Sequence, residues 1–403
     1  MVILVLNCGS SSIKYQVLDM QDVNNYSLKA KGLVERVGGD NATITHKVPG
    51  RENVFVEKSI KDHSEGISDV LGLLLDANTG VLKSLEEIDA VGHRVAHGGE
   101  YFSGAALVND DTIAKIEKCC TLAPLHNPAN LIGIRAAASL MPATPQVAVF
   151  DTSFHQTIPD YAYMYALPYE YYEKYGLRRY GFHGTSHQYV ANKACEALGW
   201  DVAEKKIITC HLGNGSSITA IEGGKSVDTS MGFTPLEGVT MGTRCGDIDA
   251  SAVTFLMEKE GLDVNGINNV LNKKSGLLGI SQLSADNRDV EAAAKEGSAK
   301  ARLAHLKRCY DIKKYIGAYA AVLNGVDLII MTGGIGENAR NVRRQVLSGL
   351  EYLGVEIDLD RNENVDCDNC VISKPESKVV VMVVCTNEEL VIARDTMNIV
   401  SAL

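Results

Sequence analysis

No uninterrupted apolar run in this chain exceeds seven residues, the longest being 379–385. A membrane-crossing helix needs about 20, so a bilayer span is excluded. A basic excess is also missing: 39 Lys and Arg stand against 50 Asp and Glu, for a net charge of −11. Non-specific nucleic-acid binding needs clustered cations against phosphates and is set aside, although a local basic pocket could still take a small anion. The apolar stretch 1–6 has no basic flank and is too short for a signal peptide. Ten cysteines in 403 residues make no disulfide framework, so a reduced, cytoplasmic setting is expected. Cys367-Asp368-Asn369-Cys370 is a CxxC with no second pair. Structural zinc takes four ligands, so none is expected there.

What remains is the composition of a globular protein, 45% hydrophobic and 22% charged, long enough for two or three domains. Short Val- and Ile-rich runs at 1–6, 146–150, 206–210, 327–331 and 378–385 read as buried strands. Helical patterns lie between them. One starts at Asn127-Pro128 with Asn127 as its cap; another is capped by Ser186 and stopped by Gly199. Two more span 298–323 and 387–399. Strand, turn and helix in alternation argue an α/β chain. Ser11-Ser12-Ile13 and Ser216-Ser217-Ile218 each follow a strand and a Gly-containing turn, at an offset of 205 residues, about half the chain. A duplicated domain, with an anion-cradling hairpin in each half, accounts for the echo.

Most of the ten histidines lie between His93 and His211, in segments that read as turns beside Arg, Asp and Gly. Their spacing is not that of a metal site. Polar groups gathered at strand ends fit an α/β ligand site. Residues 219–226 approach a P-loop, but Thr219 stands where Gly is needed and no helix follows. Gly334-Ile335-Gly336-Glu337-Asn338-Ala339 fits the weak form of the dinucleotide fingerprint. An NAD-dependent dehydrogenase would read it so, yet would leave Arg94, Arg244 and the Gly/Ser echo unexplained.

Several longer segments are more specific: Asn7-Cys8-Gly9-Ser10-Ser11-Ser12-Ile13-Lys14, Gly92-His93-Arg94-Val95-Ala96-His97-Gly98-Gly99, Tyr180-Gly181-Phe182-His183-Gly184-Thr185-Ser186-His187, Met241-Gly242-Thr243-Arg244-Cys245-Gly246-Asp247 and Thr386-Asn387-Glu388-Glu389. With them the whole chain resembles the acetate kinase family, short-chain carboxylate kinases of the acetate and sugar kinase, Hsp70 and actin superfamily. The resemblance implies an α/β fold of two similar actin-like ATPase domains, duplicated ribonuclease H-like halves around a central ATP cleft. The expected domains are 1–151 with 386–403, and 152–385. It implies reversible, Mg²⁺- (or Mn²⁺-) dependent transfer of the ATP γ-phosphoryl group to acetate, giving acetyl phosphate and ADP. Propionate is an expected side substrate, and propionate kinase the alternative of the same class.

The resemblance places Arg94 on the substrate carboxylate, Arg244 and His183 near the transferring phosphoryl group, and His126 in support. Asp151 is expected to orient Arg94 or to hold a metal-bound water. A carboxylate nucleophile with a pKa of about 4 is already ionised near neutrality, so no base is needed. Ala96, Leu125, Phe182 and Pro235 match the acyl pocket; many members of the family carry Val where Ala96 stands. Asn7 and Glu388 match the metal ligands, with Glu389 as the other choice. Lys14, with His211, Leu212, Gly213, Asn214 and Gly215, is assigned to ATP phosphates. Asp286, Asn287 and Arg288, with Gly334, Ile335, Gly336, Glu337 and Asn338, are assigned to the nucleoside. Eight of 16 tyrosines fall between Tyr161 and Tyr180, and this segment is expected to form the interface of a homodimer.

Overall fold

A computed structural model describes residues 1–366 and 369–403. Half of the CxxC segment, Cys367 and Asp368, lies outside the described residues. The chain divides into two compact units, 1–154 with 387–403, and 155–386.

The first unit holds β1 (Val2–Cys8), β2 (Ser12–Met20), β3 (Tyr26–Glu35), β4 (Ala42–Lys47), β5 (Val54–Lys58), β6 (Ala90–Val95), β7 (Ala106–Leu107) and β8 (Gln146–Phe150). They form one sheet in the order β5-β4-β3-β2-β1-β6-β8-β7. β1 pairs antiparallel with β2 and parallel with β6, which runs parallel to β8. Ile3, Leu4, Val5 and Leu6 are buried in succession, which requires cover on both faces of β1. The helices Asn127–Leu140 and Glu388–Val400 both pack on β1 and β6. A Cβ at Gly92 would stand 2.5 Å from Thr396 Oγ1, so the C-terminal helix lies directly on β6.

The second unit holds β9 (Lys206–Leu212), β10 (Ser216–Glu222), β11 (Lys225–Thr229), β12 (Leu328–Thr332), β13 (Cys370–Val371) and β14 (Val380–Val383), in the order β11-β10-β9-β12-β14-β13. Its core joins Ile208, Cys210 and Leu212 of β9 to Ile312 and Ile316 of the long helix Ala299–Val322. Each sheet therefore starts with an antiparallel hairpin, and then sets two parallel strands beside the hairpin's first strand. The same strand order in both sheets is a duplicated mixed α/β architecture. The single offset of 205 is not kept through the hairpins, however. Their innermost pairs are Cys8 with Ile13 and Leu212 with Ser216, so the second turn is one residue shorter. Its Gly213 N–H donates to Gly215 O at 3.1 Å, whereas Gly9 N–H reaches Ser12 O at 2.8 Å.

Other local expectations shift. Asn127 is the first helical residue, not the cap; its side chain accepts from His97 N at 3.1 Å and donates to His97 O at 2.9 Å. Helix Gly184–Leu198 is capped by His183, and Ser186 sits inside its first turn; Gly199 ends it in the left-handed conformation. His93 and His211 lie in strands and His187 in a helix, rather than in turns. Residues 219–226 form the β10–β11 hairpin, turning through Gly223 and Gly224, both with positive φ. Among the described residues no helix is long and apolar enough to cross a membrane.

Burial pushes the His93 and His155 imidazoles down to about 4. His93 bonds Gln146 Oε1 at 2.6 Å, and His155 bonds Ser226 Oγ and Phe182 O, both at 2.9 Å. Their unfolded value is about 6.5, so the unfolded chain binds more protons between about 6.5 and 4, and acid favours unfolding there. The stability is present above about 6.5 and is lost as pH falls towards 4. The expected cost is about 3 kcal/mol per imidazole at the acid end. Thermal midpoints from pH ~7.5 to ~4.5 check this: His93→Gln should flatten the acid limb, and an unchanged limb would refute the assignment.

Candidate active site

In the first unit, β6 carries Arg94 and the residue after β8 is Asp151. Their strands run parallel with Arg94 beside Val149, which brings the two side chains together at the strand ends. Arg94 donates from Nε to Asp151 Oδ1 at 2.9 Å and from Nη2 to Oδ2 at 2.5 Å. This fork leaves Nη1, which reaches Asn7 Oδ1 at 3.3 Å. The Asp151 side chain is 3% exposed, that of Arg94 25%. The Asp151 charge, with Glu388 and Glu389 behind it, holds the Arg94 guanidinium above its ordinary value against the cost of burial.

Asn387 caps the C-terminal helix through its side chain, which accepts from Leu390 N. Glu388 and Glu389 follow in its first turn, where the helix dipole favours anions. Lys14 forms an ion pair with Glu389. The cation assigned to phosphate in the sequence faces a carboxylate of its own unit. No hydrogen bond or ion pair engages the Glu388 carboxylate among the described residues. Burial raises its pKa, opposed by Arg94. Gly9 O and Cys8 O are taken by His63 Nε2 at 2.6 Å and Asn130 Nδ2 at 2.7 Å. Asn130 Oδ1 accepts from Ala96 N at 3.0 Å. Ala96 is buried, Leu125 exposed and His126 half-buried as the cap of helix Asn127–Leu140.

In the second unit the turn 213–215 is the centre. A Cβ at Gly215 would stand 3.2 Å from Arg244 Nη1 and 3.6 Å from the His183 ring, so both side chains close on this turn because it has no side chain there. Gly242 N–H donates to Asn214 O at 3.1 Å, tying the Arg244 segment to it. Arg244 Nη1 donates to Pro235 O at 3.1 Å and approaches Met241 Sδ at 3.7 Å. No carboxylate pairs with Arg244 among the described residues, and burial lowers its pKa. It is a poorly hydrated cation suited to an incoming anion. His183 takes φ 57°, a left-handed backbone uncommon outside glycine and frequent at functional sites. Its ring stacks on His211, 4.2 Å between centroids. Phe182 is buried with Met231 and Met241.

The nucleoside assignments divide. Asp286 caps helix Asn287–Lys295 and pairs with the exposed Arg288 at 2.6 Å. Asn287 is held by Arg308 Nη1 at 2.9 Å. Gly334, Ile335, Gly336, Glu337 and Asn338 lie in a helix of six residues after β12. Glu337 Oε1 accepts from Gly333 N at 3.1 Å and Thr386 N at 3.0 Å, so it braces the turn. Asn338 donates to Gly334 O at 2.9 Å and is exposed. Thr386, part of a motif but given no role of its own in the sequence, meets Ser186 Oγ with its Oγ1 at 2.8 Å, and Ser186 Oγ in turn meets His211 Nδ1 at 2.8 Å. Among the described residues no cluster of three or more His, Cys, Asp or Glu side chains forms a metal site.

The Acetokinase family model matches residues 2–394. The chain belongs to the acetokinase family. An acetate kinase of Caldanaerobacter subterraneus subsp. tengcongensis is 56% identical over the full length of both chains. The structure of the Porphyromonas gingivalis acetate kinase has a TM-score of 0.95 at 51% identity, covering 99% of each chain. That of a propionate kinase from Francisella tularensis has a TM-score of 0.91 at 42% identity, covering 98% of this chain and 99% of the other. The segment 334–339, which fits the dinucleotide fingerprint, therefore lies in an acetokinase-family chain and not in a dehydrogenase.

Proposed function

We propose that the chain is an acetate kinase, transferring the γ-phosphoryl group of ATP to acetate, reversibly and in line, with Mg²⁺. Full-length identity to acetate kinases carries the activity. One structural observation supports the division of labour: Arg94 is locked by a buried carboxylate, while Arg244 has none among the described residues. The acid is already ionised, so the barrier is repulsion between an anion and a polyanion. Arg94, fixed by Asp151, holds the carboxylate; His183 and Arg244 stabilise charge on the phosphoryl oxygens, with His126 in support. The nucleotide phosphates are assigned to 211–215, and the nucleoside to 286–288 and 334–338.

Asn7 Oδ1 and the unengaged Glu388 carboxylate would hold Mg²⁺; Glu389 is occupied by Lys14. Two hard oxygen donors suit a cation that keeps most of its waters, and when bound it would neutralise phosphate charge. We place the enzyme in the cytoplasm, because its cysteine usage lacks a disulfide framework. We also propose a homodimer through the segment holding the exposed Tyr161, Tyr169 and Tyr175. Aromatic side chains favour such interfaces.

Hydroxamate trapping of acyl phosphate from ATP and acetate tests the activity; no product with acetate or propionate would refute it. The same assay tests chain-length choice. Ala96, two residues beyond Arg94, lacks the two methyl groups of the Val found in many of the family, so propionate should be accepted. One methylene is worth about 1–3 kcal/mol in an apolar pocket. Ala96→Val should therefore shift kcat/KM towards acetate by roughly tenfold, and an unchanged ratio would refute the pocket assignment.

A further inference from the structure

His183 is joined to three residues that the phosphoryl-transfer reading does not use. Its Nδ1 meets Ser217 Oγ at 2.8 Å. The same oxygen meets His187 Nε2 at 2.7 Å, and His187 Nδ1 meets Thr209 Oγ1 at 2.6 Å. Thr209, His187 and Ser217 are all fully buried, on β9, on helix Gly184–Leu198 and on β10. The order Thr209, His187, Ser217, His183 is a continuous chain of bonds, and its far end decides which way each hydrogen points.

Thr209 Oγ1 carries one hydrogen, and among the described residues its one hydrogen bond is to His187 Nδ1. A buried hydroxyl hydrogen without an acceptor costs about 1–3 kcal/mol. Thr209 therefore donates, and His187 Nδ1 accepts. The proton of neutral His187 is then on Nε2, which donates to Ser217 Oγ. Ser217 must send its own hydrogen to His183 Nδ1. The neutral His183 proton is left on Nε2. A charged His187 is disfavoured too: burial, then the neighbouring His155 and His211, push its pKa well below the ordinary value.

We infer that Thr209, His187 and Ser217 are positioning residues that hold His183 as its Nε2–H tautomer. Nε2 is then a hydrogen-bond donor without the ring carrying a charge. This rests on the reading of His183 as a donor to the phosphoryl oxygens, and adds that the donor is set from 209, on the far side of His187. With the opposite polarity a neutral His183 would present a lone pair at Nε2 to an anion, which is repulsive. The flanking groups are the stacked His211, the buried His187 and the Arg244 cation at Gly215. A neutral donor beside that arginine avoids placing two cations together.

The full-length chain with ¹⁵N-labelled histidines, observed by two-bond ¹H–¹⁵N correlation at pH ~8, above the ordinary histidine value of about 6.5, tests the tautomer. His183→Gln assigns the ring signals. The expected pattern for His183 is protonated Nε2 and bare Nδ1; protonated Nδ1 would overturn the proposal. Kinetics give an independent reading. Thr209→Val keeps the shape and removes the donor, so kcat should fall about tenfold, with KM for ATP and acetate unchanged and Thr209→Ser restoring kcat. A kcat within twofold of the parent, or no rescue by serine, would count against the relay. Should the valine variant not fold, Ser217→Ala makes the same break and is held to the same outcomes. Failure of the parent to form acetyl hydroxamate would strike the proposed function while leaving the tautomer result standing.

Discussion

Arg94→Lys lowers kcat/KM for acetate by about 10²–10³-fold. The physical reason is the fork: two guanidinium nitrogens hold Asp151 while the third is left for another oxygen. A lysine ammonium is a single point charge and cannot do both. Charge-assisted hydrogen bonds are worth about 1.5–3 kcal/mol each, and each 1.36 kcal/mol is tenfold in rate. Arg94→Ala is also less stable, because Asp151 is left as a nearly sealed, unpaired carboxylate. The generic loss for such a break is about 3–5 kcal/mol. The value here should be smaller, since Arg94 is a quarter exposed. The double variant Arg94→Leu with Asp151→Leu separates the two effects: stability should return, activity should not. A lysine variant within tenfold of the parent in steady-state kinetics would refute the role of the fork.

Arg244→Ala has the opposite stability signature. Its guanidinium is half-buried, bonds only a carbonyl and a thioether among the described residues, and has its pKa lowered by burial. Removing it strands no buried carboxylate, so the thermal midpoint should stay level or rise. The kinetic loss should be severe, because arginines that neutralise a phosphoryl group in flight contribute about 10³–10⁵ in kcat. The expected result is a kcat at least 10³-fold lower, with KM for acetate within a fewfold. Arg244→Lys should recover part of it. A kcat loss under tenfold, or a large fall in melting temperature, would place Arg244 among structural cations instead.

The two arginines were both visible in the sequence, each inside a contiguous glycine-containing motif, but their difference was not. Asp151 lies 57 residues from Arg94 in sequence, and only the parallel pairing of β6 and β8 brings them together. Adjacent in sequence, Glu388 and Glu389 differ in the fold, where Lys14, at the far end of the chain, pairs with Glu389. Ser186 looked like a helix cap because serine is a frequent one; in the fold its hydroxyl bridges His211 and Thr386. His183 caps that helix instead, in a left-handed backbone conformation that local sequence does not announce.

The sequence by itself determined the α/β class, the strand runs, the Gly/Ser hairpin in each half and the family. These signals are local: apolar periodicity, turn chemistry and unbroken motifs. The tertiary structure alone decided which cation is paired, which carboxylate is left unengaged among the described residues, that the second hairpin turn is one residue shorter, and that Thr209, His187, Ser217 and His183 are joined in one chain of hydrogen bonds. Those outcomes depend on partners supplied by other strands and helices. Burial is what gives each partner, or its absence, a cost.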